Sequence, residues 1–304
     1  MATRLVDLQQ CKFDPAKRRR RLQTTPTGAV HMGQPVCPPE GPIPPQSNFK
    51  IEVRFLGGLT QSQMEIFEAA ANRWSEIITG DLQSVQLPTG EVVDDLLIDA
   101  QGVNIDGVGG VLGRAGPQFI RDNALPAKGI MEFDTADLQS MESDGSLLNV
   151  IIHEMGHVIG IGTIWDEKGL LVGCPTANPI FLGAKARAEF AALTNGDAAP
   201  VPVANTGGPG TRCGHWRESV FGHELMTGFL NNGANPVSRM TIASLEDLGY
   251  EVNYAAADAY TLPSSLELAL MGIGADGHRR FCQACGGGAK PIQPIVLPKE
   301  AYVG

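Results

Sequence analysis

The sequence lacks any apolar run that approaches the roughly 18 residues needed to cross a bilayer. Its first residues also lack the apolar core of a secretory signal, so we expect neither a membrane span nor a classical leader. Nucleic acid is disfavoured as a partner, because the formal net charge is -10. Six cysteines in 304 residues are too few for a disulfide scaffold. These observations leave the compartment and the oligomeric state open.

What the sequence does contain favours a globular α+β fold, since 43% of its residues are hydrophobic and 18% are charged. Phe49–Phe55 alternates apolar and polar residues with period two, which predicts a half-buried strand. Thr60 and Gln63 have the spacing of a capping box, and apolar residues then recur at helical spacing until about Gly80. Short apolar runs between residues 92 and 134 predict several further strands.

A nearly all-apolar helix is predicted over Ser146–Ile159, and it contains the motif His153-Glu154-Met155-Gly156-His157. A spacing of four residues places both imidazoles on one helix face, and Glu154 can reach a metal-bound water without being a ligand. The alternative is a pair of buried histidines. We disfavour it, because an apolar helix gains nothing from three ionisable groups unless they are paired or metal-bound. Gly160 can take the positive φ that ends the helix.

A catalytic zinc takes three protein ligands and keeps one position for water, so a third ligand is required. Thr163 stands where the short metzincin motif has its third histidine, and a thermolysin-like glutamate is absent at Ala177, about twenty residues after the helix. The residues alone leave four candidates, which are His31, His215, His223 and His278.

Over about residues 49–262 the sequence resembles the leishmanolysin family of metzincins. The segment that carries the resemblance is GHWRESVFGHELM, residues 214–226. The resemblance makes His215 the third ligand and Met226, eleven residues later, the Met-turn residue. His223 stands where the family usually has another polar residue, which leaves it as a rival ligand. The implied fold is α+β and metzincin-like, with a mixed sheet, a central active-site helix and a loop-rich lower half.

The resemblance also implies the activity of a compact, single-unit zinc metalloendopeptidase that acts on protein or peptide substrates. One catalytic Zn²⁺ would be held by His153, His157 and His215, with Glu154 as the general base. The alternative is a catalytically silent zinc-containing adhesion or binding module. Glu154 argues against it, because a purely structural site needs no general base. By family analogy the protein is extracellular, and cytoplasmic residence stays open.

Four segments are predicted along the chain. Residues 1–48 are basic and Pro-rich and should form a flexible N-terminal segment. The upper catalytic subdomain, with the metal-binding helix, is expected over 49–160, and the lower catalytic subdomain, with the third histidine and the Met-turn, over 161–262. Residues 263–304 form a C-terminal extension that should fray after a short apolar helix.

Other features allow two interpretations each. Gly129–Phe133 is predicted to be an exposed edge strand that binds the peptide, with a covered strand as the alternative. Cys174 and Cys213 lie in the insertion before the third ligand, either as a disulfide or as two free buried thiols. Three oxygen-bearing residues near Gly107 could bind calcium, although ordinary turns explain them better. They are Asp99, Asn104 and Asp106.

The remaining cysteines suggest three further roles. Cys282 and Cys285 form a CxxC pair with His278 nearby, a weak indication of a structural zinc site or a redox pair. Cys11 or Cys37 could place a thiolate on the open zinc position as a latency switch.

The Gly-rich runs lack the Gly-Lys-Ser/Thr ending that cradles phosphate, so we predict no nucleotide site.

Overall fold

The computed structural model of the chain describes residues 48–109, 111–208, 210–231, 233–273 and 292–303. Within these ranges the protein has an α+β fold with a mixed five-stranded sheet, as the sequence predicts. No helix in these ranges combines the length and the apolar character that a bilayer span needs.

The first half of the fold is a sheet covered by two long helices. Its elements are β1 (Ile51–Gly57), α1 (Gln61–Ile77), β2 (Val85–Gln86), β3 (Val92–Val93), β4 (Leu96–Val103), β5 (Gly113–Ile120), β6 (Pro126–Asp134), α2 (Thr135–Asp144) and α3 (Leu147–Ile159). Strands β1, β4 and β6 are parallel and β5 is antiparallel to β6. The predicted capping box of Thr60 and Gln63 begins α1. Helix α3 packs beside α1 and over β5 and β6, so it lies at the centre of the core.

The predicted edge role of Gly129–Phe133 is wrong. These residues lie in β6, which pairs with β4 on one side and with β5 on the other. Gly129, for example, pairs with both Ile98 and Pro117. The sequence predicts correctly that this segment is a strand. It does not reveal that β6 returns antiparallel along β5, which covers the side expected to be open.

The second half contains short elements joined by long loops. They are β7 (Leu171–Val172), β8 (Ile180–Phe181), α4 (Ala184–Thr194), β9 (Val201–Pro202), α5 (Glu218–Phe221), α6 (Arg239–Leu248), a 3-10 turn (Tyr254–Ala256), α7 (Ser265–Leu270), β10 (Ile295–Val296) and a second 3-10 turn (Lys299–Ala301). Helix α4 packs on α6, where Asp247 accepts hydrogen bonds from the backbone N–H groups of Lys185 and Ala186. Cys174 and Cys213 form a disulfide, so the interpretation as two free thiols is wrong.

Residues 292–303 correct the expectation that the C-terminal extension frays. β10 pairs in parallel with the end of β5, at Phe119 and Ile120. Leu297 is buried in a small apolar cluster with Val85 and Leu97. Burial of the Leu297 side chain stabilises the packing of this segment against the sheet. The Gly and Pro content of the C-terminal extension does not predict this packing.

Candidate metal centre

Helix α3 brings two imidazoles together, as its sequence spacing predicts. His153 and His157 are buried, and their Nε2 atoms lie 3.1 Å apart. The helix ends at Gly160, which has a φ of +121° that an L side chain rarely adopts. Both histidines are therefore fixed on the inner side of a helix that the apolar core surrounds.

The third imidazole is His215, which arrives from the loop-rich half of the chain. Its Nε2 lies 3.1 Å from that of His153 and 2.9 Å from that of His157. A short backbone ladder fixes this segment: the Ala204 N–H donates to the His215 carbonyl, and the Trp216 N–H donates to the Met226 carbonyl. Cys213, which forms the disulfide with Cys174, lies two residues before His215. The structure therefore brings together the three histidines that the family resemblance implies.

The second nitrogen of each ring faces a backbone carbonyl. The Nδ1 atoms of His153, His157 and His215 lie 2.7, 2.8 and 2.9 Å from the respective carbonyl oxygens. These carbonyls belong to Leu225, Ile161 and Thr211. Because a carbonyl only accepts hydrogen bonds, each Nδ1 carries the proton and each Nε2 presents a lone pair. All three lone pairs are directed into the same small space.

This donor set fits a zinc ion. Nitrogen ligands at the usual tetrahedral bond length lie about 3.3 Å from one another, close to the observed 2.9 to 3.1 Å. Three unprotonated nitrogens at this spacing repel one another unless a cation lies between them. Burial lowers the pKa of His153 to about 3 and of His157 to about 4, and it also lowers that of His215, so neutral ligands are available at neutral pH.

Glu154 is the fourth ionisable group of the site. It is 3% exposed, and its Oε1 has no hydrogen-bond partner within the described part of the chain. Burial raises its pKa to about 8, because nothing nearby compensates the lost hydration of the carboxylate. A cation held by the neighbouring histidines would favour the charged form of this carboxyl, which could then accept a proton from a bound molecule.

Met226 packs beneath the ligand pair. It is fully buried, and a Cβ added to Gly156 would lie 3.0 Å from both its Sδ and its Cε. The methionine therefore touches the helix turn that separates His153 from His157. Trp74 closes the same turn, since its Nε1 donates to the Ile152 carbonyl at 2.9 Å.

His223, the one rival ligand within the described residues, does not join this group. The ring of His223 packs against Tyr260, with 5.3 Å between the ring centroids. Thr163 donates from its hydroxyl to the His157 carbonyl, which caps the helix end. His31 and His278 lie outside the described residues, as do the cysteines at 11, 37, 282 and 285.

Two of the three residues weighed as possible calcium ligands have other partners. Asp99 forms ion pairs with Arg54 and Lys128, and Asp106 accepts from the Val111 N–H, as a turn residue does. A different carboxylate group does converge in the described ranges. It consists of Asp81, Asp94 and Asp95. Both oxygens of Asp95 already accept backbone N–H groups, so this group is explained by local structure.

Residues that orient the ligands were missed from the sequence. A backbone carbonyl has no side-chain signature, so the roles of Leu225 and Thr211 are invisible before the fold is known. Glu224 is also part of this surrounding shell, since it accepts a hydrogen bond from the Met226 N–H. Its place two residues before Met226, inside the segment that carries the family resemblance, was the signal that the sequence offered.

Comparison with known proteins identifies a family. The family model of leishmanolysin, a peptidase family, matches residues 88–268, which is more than half of the 304-residue chain. The matched range includes all three histidines, Glu154 and Met226. No curated protein matches the sequence.

Proposed function

The chain belongs to the leishmanolysin family of peptidases, and from this premise we propose that it is a zinc-dependent endopeptidase of the metzincin type. The family consists of zinc metallopeptidases, so peptide hydrolysis is the activity to expect. The observation that carries the proposal is the convergence of three buried Nε2 atoms at a helix that also carries Glu154, whose buried Oε1 has no hydrogen-bond partner among the described residues. His153, His157 and His215 are the proposed ligands, and Met226 is the proposed Met-turn residue.

Each residue of the site has a definite task in this proposal. When bound, zinc supplies a Lewis acid that polarises the scissile carbonyl and lowers the pKa of water. The Nδ1–H bonds of the histidines hold the rings in place and keep the Nε2 lone pairs free. Glu154 accepts the proton of the attacking water and passes it to the leaving amine. The apolar side chains of α3 next to the site limit the access of other water molecules.

Substrate binding is proposed at the strand next to the one that the sequence suggested. β6 is enclosed, whereas in the part of the chain that the structure describes β5 pairs with β10 only at Phe119 and Ile120. The outer edge of Gly113–Ala115 therefore offers backbone groups to an extended peptide. The sheet also packs closely against the helix that carries the site. A Cβ on Gly129 of β6 would lie only 2.3 Å from the side chain of Val158, the residue after His157 on α3. We further propose that the chain divides at residue 160 into upper and lower catalytic subdomains, with the substrate cleft between α3 and the later loops.

The test compares Glu154→Gln with wild type in zinc content and in cleavage of a peptide library. We expect the variant to bind zinc and to lose cleavage by about 100-fold to 10,000-fold, because only the proton acceptor is removed. Glu189→Gln is the matched control, since Glu189 on α4 forms a surface ion pair with Arg239 of α6, away from the site. Unchanged cleavage by Glu154→Gln would refute the mechanism. A wild type that binds zinc and cleaves no peptide would support the silent binding module instead.

A further inference from the structure

We propose that Glu224 is a positioning residue for His153, and that it acts through the peptide group joining Leu225 to Met226. This inference rests on the proposed function, because it treats His153 as a zinc ligand. It adds a residue that never touches the metal but fixes the orientation of one ligand.

Glu224 is fully buried and accepts four hydrogen bonds. The Met226 N–H donates to its Oε2 at 2.6 Å, and the Ser238 N–H donates to its Oε1 at 3.1 Å. The hydroxyls of Ser238 and Thr241 also donate to Oε1, the former at 2.8 Å. The carboxylate thus ties the segment before Met226 to the first turn of α6.

The surroundings require an acceptor at this position. Ser238 Oγ accepts the Thr241 N–H at 3.2 Å, and Thr241 Oγ1 accepts the Trp216 Nε1–H at 2.8 Å. Both hydroxyls can still donate to Glu224, and for Ser238 this contact is shorter than its alternative with Thr241 Oγ1, 2.8 Å against 3.4 Å. Burial raises the pKa of Glu224, while these hydrogen bonds act in the opposite direction by stabilising its charged form. An acceptor-only carboxylate matches all four donors.

The link to the metal site runs through one planar peptide group. The N–H of the Leu225–Met226 peptide donates to Glu224, and its C=O accepts the Nδ1–H of His153 at 2.7 Å. Because the peptide is rigid, holding the N–H also sets the direction of the C=O. A negative acceptor at one end polarises the group and makes the carbonyl a stronger partner for His153. The result is a carboxylate–peptide–histidine chain. Like a direct carboxylate–histidine contact, it fixes the orientation and the tautomer of the imidazole ring.

His153 needs this support more than the other two ligands. The carbonyl partners of His157 and His215 are only 4 residues away in the chain, within their own turns. The partner of His153 is 72 residues away, on a loop. The backbone around His157 and His215 fixes their rings locally, whereas His153 depends on how the loop of residues 224–227 is held.

The first variant is Glu224→Gln, and the control is Asp247→Asn. The glutamine amide must face either the Met226 N–H or the Ser238 N–H with its own N–H₂, so donors oppose each other whichever way it turns. Asp247 is matched to Glu224 because it also accepts two backbone N–H groups and ties α6 to another segment, without touching residues 224–227. Both variants lose a carboxylate anchor, and only one of them affects the peptide that holds His153.

Two measurements decide the proposal. Chelator competition should show that Glu224→Gln binds zinc about 10-fold to 100-fold more weakly, with Asp247→Asn within about 3-fold of wild type. In the metal-free protein, long-range ¹H–¹⁵N spectra should show His153 with its proton on Nδ1 in wild type and a mixture of tautomers in Glu224→Gln. The second readout does not depend on peptidase activity, so it stays informative even if the proposed function fails.

A milder variant covers the case in which Glu224→Gln does not fold. Ser238→Ala removes one donor to the carboxylate, and we expect a loss of zinc affinity of several fold with a folded protein. Unchanged zinc affinity and an unchanged His153 tautomer in folded Glu224→Gln would overturn the proposal. Equal losses in Glu224→Gln and Asp247→Asn would also overturn it, since they would indicate general destabilisation.

Discussion

A glycine behind the metal site offers a sharp test of how the third ligand is held. Gly162 follows the end of α3, has a φ of +78°, and lies against the backbone of Gly214, the residue before His215. A Cβ at position 162 would lie 1.9 Å from the Gly214 carbonyl oxygen and 2.6 Å from its carbonyl carbon. The atoms in the way are backbone atoms, so no side chain can move aside.

The cost of Gly162→Ala follows from two separate effects. The positive φ costs an L residue about 1 to 2 kcal/mol. Carbon and oxygen atoms normally approach no closer than about 3.3 Å, so the two segments must separate by roughly 1.4 Å, and overpacking of this kind costs about 1 to 3 kcal/mol more. Because metal–ligand distances tolerate only about 0.2 Å, a shift of His215 on this scale should weaken zinc binding by at least about 10-fold.

Gly169→Ala separates the two effects. Gly169 has a similar φ of +67°, but nothing lies within 4 Å of the position its Cβ would take. Denaturant unfolding of the metal-free variants should show a loss of about 1 to 2 kcal/mol for Gly169→Ala and a larger loss for Gly162→Ala. Chelator competition should show weaker zinc binding for Gly162→Ala alone. Equal stabilities and equal zinc affinities would refute the argument that the Gly162–Gly214 contact sets the ligand position.

Two further predictions concern stability. Replacing both Cys174 and Cys213 by serine should lower the free energy of unfolding by up to about 4 kcal/mol, because the bond closes a loop over 39 residues; a difference below about 1 kcal/mol in chemical denaturation would contradict this. The metal-free protein should be most stable near pH 6.5. The lowered pKa values of His153 (about 3) and His157 (about 4) make stability rise with pH up to 6.5, where the unfolded chain stops binding the extra protons. The raised pKa of Glu154 (about 8) makes stability fall from there toward pH 8, because the native carboxyl keeps a proton that the unfolded chain has lost. Thermal unfolding across this range, with no maximum near pH 6.5, would count against these shifts.

The parts of the site that are local in sequence were predictable. A spacing of four residues on a helix fixes the relative placement of His153 and His157 whatever the rest of the fold does. The positive φ of Gly160 and the capping box at Thr60 were predictable for the same reason, since each depends on a few neighbouring residues. His215 could not be chosen by spacing, and the family resemblance was needed to prefer it over His223.

The parts that failed depend on contacts between distant segments. The sequence of β6 identifies a strand but says nothing about which strands flank it, so the edge prediction had no physical basis beyond analogy. The sheet position of residues 295–296 was missed for the same reason, because two residues carry no periodic signal. The hydrogen bond from His153 to Leu225 could not be foreseen either, since any residue type provides a backbone carbonyl.

The proposed metal centre would join two parts of the chain that are held in place in different ways, and this difference determines what a measurement of zinc affinity reports. The helix half is fixed by the spacing of His153 and His157 and by the apolar core around α3. The loop half, which includes His215 and the carbonyl of Leu225, is fixed by backbone ladders, the disulfide and Glu224. Because the helix half is rigid, changes in the loop half determine whether three lone pairs still meet at one point. Zinc affinity is therefore a sensitive measure of loop order, and variants at Gly162 and Glu224 should alter it beyond their effect on overall stability.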